Sequence, residues 1–150
     1  MTVPDHTTRP LWRMVRRTGL RGLFLLVLGV FDVLYGLTIA WPTPDQQRST
    51  RYPIITHLVP GLGAHVSLWV WAVLWWAVAV ACFVYAWRAV DTPGYACAVG
   101  LKVAWAIVNL LGFLRGLPDG AGQTLTWLAF AAAVAIMSRM AEPIRTDGTP

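Results

Sequence analysis

Residues 22–41 read GLFLLVLGVFDVLYGLTIAW, a run of 20 residues interrupted by one charge, Asp32, and closed by Trp41-Pro42. An α-helix rises about 1.5 Å per residue, so such a run matches the ~30 Å hydrocarbon core of a bilayer. The arginines before it (Arg9, Arg13, Arg16, Arg17 and Arg21) give it the outline of a secretory signal. Signal cores, however, run to about 7–15 residues and end at a small-residue cleavage site. The run is longer and ends on tryptophan and proline, so it reads as a retained first membrane helix. Three more apolar runs follow, at about 66–87, 95–114 and 123–140, none with an internal proline. The last is the shortest in strictly apolar residues, Leu125 to Met137; Thr124, Ser138 and a snorkelling Arg139 complete its crossing.

The whole chain carries the same signature. Of its 150 residues 57% are hydrophobic and 13% charged, with nine tryptophans and a mean hydropathy of +0.56. A soluble domain carries about 25% charged residues. Disorder, a collagen repeat and a disulfide scaffold are excluded on the same grounds. The connections 88–94 and 115–122 are too short to hold a domain, so consecutive spans form antiparallel hairpins. The expected fold is all-α, a four-helix transmembrane bundle over 22–140, with a basic arm 1–21 and a short tail 141–150. The outer loop 42–65 contains Pro42, Pro44, Pro53, Pro60, Gly61 and Gly63, a composition that opposes regular helix and suits a cap over the helix ends.

Lys and Arg are retained on the cytoplasmic side of short loops. With both termini inside, eight arginines face the cytoplasm (five in the arm, then Arg88, Arg139 and Arg145) against Arg48, Arg51 and Arg115 outside. The formal charge of +5 is thereby a topological signal, and no nucleic-acid motif accompanies it. Basic residues near the surface also attract anionic headgroups, at about 1 kcal/mol each. The bilayer itself is the first expected partner.

Two ionisable residues lie inside the spans, Asp32 and Lys102. A charge at the bilayer centre costs at least about 2.5–3.5 kcal/mol and usually faces the bundle or water. Asp32 is eleven residues into the first span and Lys102 eight into the third. Those two helices run the same way, so the Cα depths differ by only about 5 Å. The leading expectation is an Asp32–Lys102 pair, with the Tyr35 hydroxyl one turn from Asp32 in support. Gly22, Gly29 and Gly36 recur every seven residues on the stripe of Asp32, allowing close helix approach. In the third span Ala98, Lys102, Trp105, Asn109, Gly112 and Gly116 follow steps of four and three along one face. A helix-docking pair that fixes register is favoured over an ion or proton route, which needs more polar positions than Asp32, Lys102 and Asn109.

No catalytic constellation, cofactor motif or metal site is read from the chain. Cys82 and Cys97 fall within spans two and three and are expected in apolar surroundings. His6, His57 and His65 sit in the arm and the large loop, too few for a zinc site. Trp41 and Trp87 mark span edges as interface anchors. Trp69, Trp71, Trp75 and Trp76 run around the circumference of span two, so some face lipid and others pack into the bundle or another subunit.

Several short motifs add a resemblance: Arg21-Gly22 opening the run to Tyr35-Gly36, the proline-bearing outer loop, Leu68-Trp69, Ala86-Trp87-Arg88, the Asp91 and Gly94 connection, and Met140-Ala141-Glu142-Pro143. Over most of its length the chain resembles small four-span membrane proteins of actinobacterial phages, many of them holin-like in size and hydropathy. The resemblance implies residence in the host cytoplasmic membrane, homo-oligomers or a membrane or phage partner, and a part in lysis. One departure is the tail, where Glu142 to Pro150 carries only Glu142, Arg145 and Asp147 and a holin usually ends in a highly charged segment. Three classes of function follow: a non-enzymatic holin-like permeabilising protein, an accessory subunit binding a partner, and a small transporter or channel using Asp32 and Lys102. A cellular membrane protein of similar composition is a further source.

Overall fold

The structure is a computed structural model that describes residues 10–44, 64–88, 90–116 and 119–140, the side chains of 10–18 and 64–66 excepted. The described chain is all-α: α1 Pro10–Ala40, α2 Ala64–Ala86, α3 Thr92–Leu114 and α4 Gly120–Arg139. Each contains a stretch long and apolar enough to span a membrane: Gly19–Ala40, Ser67–Ala86, Thr92–Leu114 and Gly120–Arg139. The protein is therefore an integral, multi-pass membrane protein. Much of the expected cap 42–65, the tail 141–150, and with them His57, Arg48, Arg51 and Arg145, lie outside the described residues, as do His6 and Arg9.

Local chemistry sets the helix ends. Pro10 sits at the first helical position of α1, where its missing N–H is no loss. The helix thus begins within the basic arm, well before Gly22. It is broken once, at Gly19, whose φ of 69° and ψ of 175° leave the helical region; only glycine reaches such a φ without penalty. Pro93 occupies the first turn of α3, which starts before Tyr95. Its N-cap residue, Asp91, makes no side-chain capping bond, because the carboxylate is taken by Arg21 at 2.6 Å. At the other end Gly116, with φ of 87°, terminates α3 through its N–H to Phe113 O at 2.9 Å. Gly116 is therefore exposed at a turn, not part of the packed stripe that its spacing suggested.

The helices pack as two antiparallel hairpins. On α1, Gly36 lies against Ala72 and Trp76 of α2 while Gly29 lies against Phe83, so rising positions on one helix meet falling ones on the other. On α3, Asn109 and Phe113 meet Gly120 of α4, and Ala106 O meets Thr124. α1–α2 and α3–α4 are the extensive contacts, α2–α3 joins them, and α1 reaches α3 mainly through long side chains. Gly22, Gly29, Gly36 and Gly112 are all buried. The outward surface is apolar, with residues such as Val27, Leu34, Val73, Val80, Ile107 and Leu125 directed away from the bundle, as expected where lipid is the solvent.

Candidate functional site

The centre of the bundle is defined by its two charges. Asp32 follows from the buried stripe 22, 25, 29, 32, 36, 39 of α1, and Lys102 from the stripe 98, 102, 105, 109, 112 of α3. Both side chains are fully enclosed, and Lys102 Nζ donates to Asp32 Oδ1. The structure thus brings together the two residues singled out by sequence. Pairing spares the bundle two isolated charges in a medium where desolvation of each would cost several kcal/mol.

Rings from α1, α2 and α4 wall the pair. Lys102 Nζ stands 4.6 Å from the Trp75 ring centroid and 5.6 Å from those of Phe31 and Phe130, within the ~6 Å over which a ring quadrupole attracts a cation. Tyr35 lies 4.4 Å from Trp75 and 5.1 Å from Trp127, centroid to centroid. Phe31 and Phe130 meet edge to face at 5.3 Å, bridging α1 and α4. Trp75 is drawn from the tryptophan cluster of α2, whereas Trp69 is exposed at the bundle surface. The contributions of Phe31, Trp127 and Phe130 were missed by sequence reasoning. Of the three only Trp127 lies on the buried stripe of α4, with Ala131 and Val134, and little in that apolar sequence sets the stripe apart.

The remaining sequence-selected polar residues serve other bonds. Tyr35 accepts, at its hydroxyl, the Trp105 Nε1 hydrogen bond at 3.0 Å, tying α1 to α3 one turn beyond the ion pair. Asn109 does not extend the pair: its Nδ2 donates to Trp105 O at 2.7 Å, back along its own helix. A buried amide can satisfy its donor locally, on a carbonyl one turn back along its own helix. Thr124 behaves likewise, donating to Gly120 O at 2.8 Å. Four enclosed atoms have no hydrogen-bond partner among the described residues: Asp32 Oδ2, Trp75 Nε1 and Trp127 Nε1 in the interior, and Arg21 Nε. Cys82 is enclosed, whereas Cys97 is exposed at the bundle surface, so the expected apolar burial holds for Cys82 and is corrected for Cys97. Trp41 and Trp87 are exposed at the ends of α1 and α2. Among the described residues no three of His, Cys, Asp and Glu converge.

A second polar tie, also unforeseen, closes one end of the bundle. Arg21 pairs with Asp91 at 2.6 Å, its guanidinium lies 5.6 Å from the Tyr95 ring centroid, and the Tyr95 hydroxyl donates to Arg21 O at 2.9 Å. Arg21 was grouped with the arm and Asp91 with a connection, although both flank span ends on one side of the expected topology. Arg21–Asp91, Asp32–Lys102 and Tyr35–Trp105 share one sequence offset of 70 residues. Equal offsets at three levels mean that α1 and α3 run parallel in a single register, fixed by polar bonds where backbone contact is sparse.

The fold and this interior define a four-span membrane bundle locked about a central ion pair. No family model matches the chain, and neither curated proteins nor solved structures give a significant match.

Proposed function

We propose that the protein is a non-enzymatic protein of a bacterial cytoplasmic membrane that permeabilises it by self-association, in the manner of a phage holin. The observation that carries this reading is the mutual neutralisation of Asp32 and Lys102 inside the aromatic enclosure. A bundle that spends its intramembrane charges on one another, with an apolar exterior, can accumulate in lipid as an inert closed unit. Short length, four spans, the basic N-terminal segment and the resemblance to phage proteins support the same reading. Inducible expression in a bacterial host, with a potential-sensitive dye, tests it: an abrupt loss of membrane potential after a period of accumulation is expected. Unbroken growth at high membrane content of the protein would overturn it.

A second reading, an accessory subunit that binds a membrane partner, is favoured by one feature. Trp41, Trp69 and Trp76 form a surface cluster with centroid separations of 5.2, 6.0 and 6.3 Å, beside the start of the loop 42–65. Cross-linking with mass spectrometry then recovers a single stoichiometric partner; self-links alone favour the holin-like reading. The transporter reading requires Asp32 to take part in a pH-dependent flux, which Asp32→Asn would abolish.

A further inference from the structure

The break at Gly19 separates residues 10–18 from the membrane span that begins at that glycine. The backbone of 10–18 is helical, so its residues have a defined angular order. At about 100° per residue, positions 11, 14, 15 and 18 (Leu11, Met14, Val15 and Thr18) fall on one side. Arg13, Arg16 and Arg17 fall on the other, and Trp12 lies at the boundary between the two. No acidic residue occurs between positions 10 and 18. The order is that of helices that lie in a membrane interface, with an apolar side toward the acyl boundary, a basic side toward headgroups and an aromatic residue between.

We infer that residues 10–18 form an interfacial helix that binds anionic phospholipid headgroups through Arg13, Arg16 and Arg17. Two observations lead there. The segment runs directly into the first span, so it cannot leave the membrane surface by more than its own length, about 14 Å at 1.5 Å per residue. The left-handed φ at Gly19 removes it from the helical course of that span, as a helix lying along the surface requires. Charge then selects the lipid, since three guanidinium groups and no carboxylate favour phosphatidylglycerol-like headgroups over zwitterionic ones. The inference does not rest on the holin-like reading and applies equally to an accessory subunit.

The full chain in nanodiscs tests it. A nitroxide is placed at Val15→Cys in a background carrying Cys82→Ala and Cys97→Ser. Its collision with oxygen and with a water-soluble nickel chelate is compared in phosphatidylcholine and in phosphatidylcholine containing phosphatidylglycerol. In the anionic membrane the label is expected to be shielded from nickel and open to oxygen. In phosphatidylcholine alone, in 1 M salt, or in R13Q/R16Q/R17Q, the ratio of inserted to lifted states should fall, by on the order of fivefold for each arginine removed at low ionic strength. Equal insertion in both membranes, equal insertion in the triple variant, or a label fully accessible to nickel in the anionic membrane would each overturn the assignment. Gly19→Ala is an independent variant that keeps every charge: by favouring an unbroken helix it should raise nickel access at position 15, and unchanged access would count against the hinge.

Discussion

Asp32 and Lys102 illustrate how strongly the bilayer constrains single residues. Removing one partner leaves an uncompensated enclosed charge, a loss of about 3–5 kcal/mol, whereas replacing both with uncharged groups can be nearly neutral. Asp32→Asn and Lys102→Met should therefore each lower resistance to SDS unfolding, followed by tryptophan fluorescence, and the double variant should recover much of the loss. A double variant no better than the worse single one would mean that the two are uncoupled. The pair was legible in the sequence because an ionisable residue within a span is rare enough to demand a partner. Its surroundings were not legible. Which rings face Lys102 depends on the rotation of α2 and α4 about their axes, and the α4 sequence, apolar nearly all round, gives that rotation little expression. Asn109 misled for a related reason: its residue type showed that it needed a bond, and only the structure shows that the bond goes to Trp105 O.

For the helices, glycine separates contacts that can yield from those that cannot. A methyl group on Gly120 would stand 2.6 Å from Phe113 N and 2.7 Å from Asn109 O, both backbone atoms. On Gly36 it would stand 2.5 Å from Trp76 Nε1, and on Gly29 2.8 Å from the edge of the Phe83 ring, in both cases nearest to a side chain and not to backbone. Gly120→Ala is accordingly expected to destabilise most, by about 1–3 kcal/mol, with Gly36→Ala and Gly29→Ala in descending order. Gly100→Ala and Gly122→Ala meet open space and should stabilise their helices by about 0.5–1 kcal/mol. Thermal unfolding in one detergent ranks the five, and a neutral Gly120→Ala would refute the backbone contact. The seven-residue spacing of Gly22, Gly29 and Gly36 marked a close helix approach in the sequence, and the structure gives α2 as the neighbour of Gly29 and Gly36. Gly120 gave no such signal, because one glycine at a helix start reads as a turn residue until the crossing helix is in view. The spans were legible because bilayer thickness dictates their length. The start of α1 at Pro10 was not, since charge density marks where a span ends and is silent on where helix begins.

Across the whole molecule, polar bonds and apolar contact divide the labour. Each hairpin is packed along its length, while the register between α1 and α3 is held at Arg21–Asp91, Asp32–Lys102 and Tyr35–Trp105. The antiparallel order brings residues 19 and 139 to the same end of the bundle, and from the arginine distribution we propose that this end faces the cytoplasm. A green fluorescent protein fused after Pro150 should therefore fluoresce in whole cells, and alkaline phosphatase inserted in residues 45–63 should be active. The reverse pattern would invert the orientation without disturbing the fold. Arg21 and Asp91 retain side-chain exposures of 21% and 15%, so loss of that tie should cost far less than loss of the central pair.

The shared offset of 70 residues also has a meaning in time. A ribosome adds about 5–20 residues per second, so Asp32 reaches the insertion machinery about 4–14 s before Lys102 has been made. Through that interval the nascent first hairpin carries a carboxyl group with no cation to receive it. A chain stopped before the third span would leave that acid unmatched in the first hairpin, at the cost that an unpaired ionisable group within the bilayer carries.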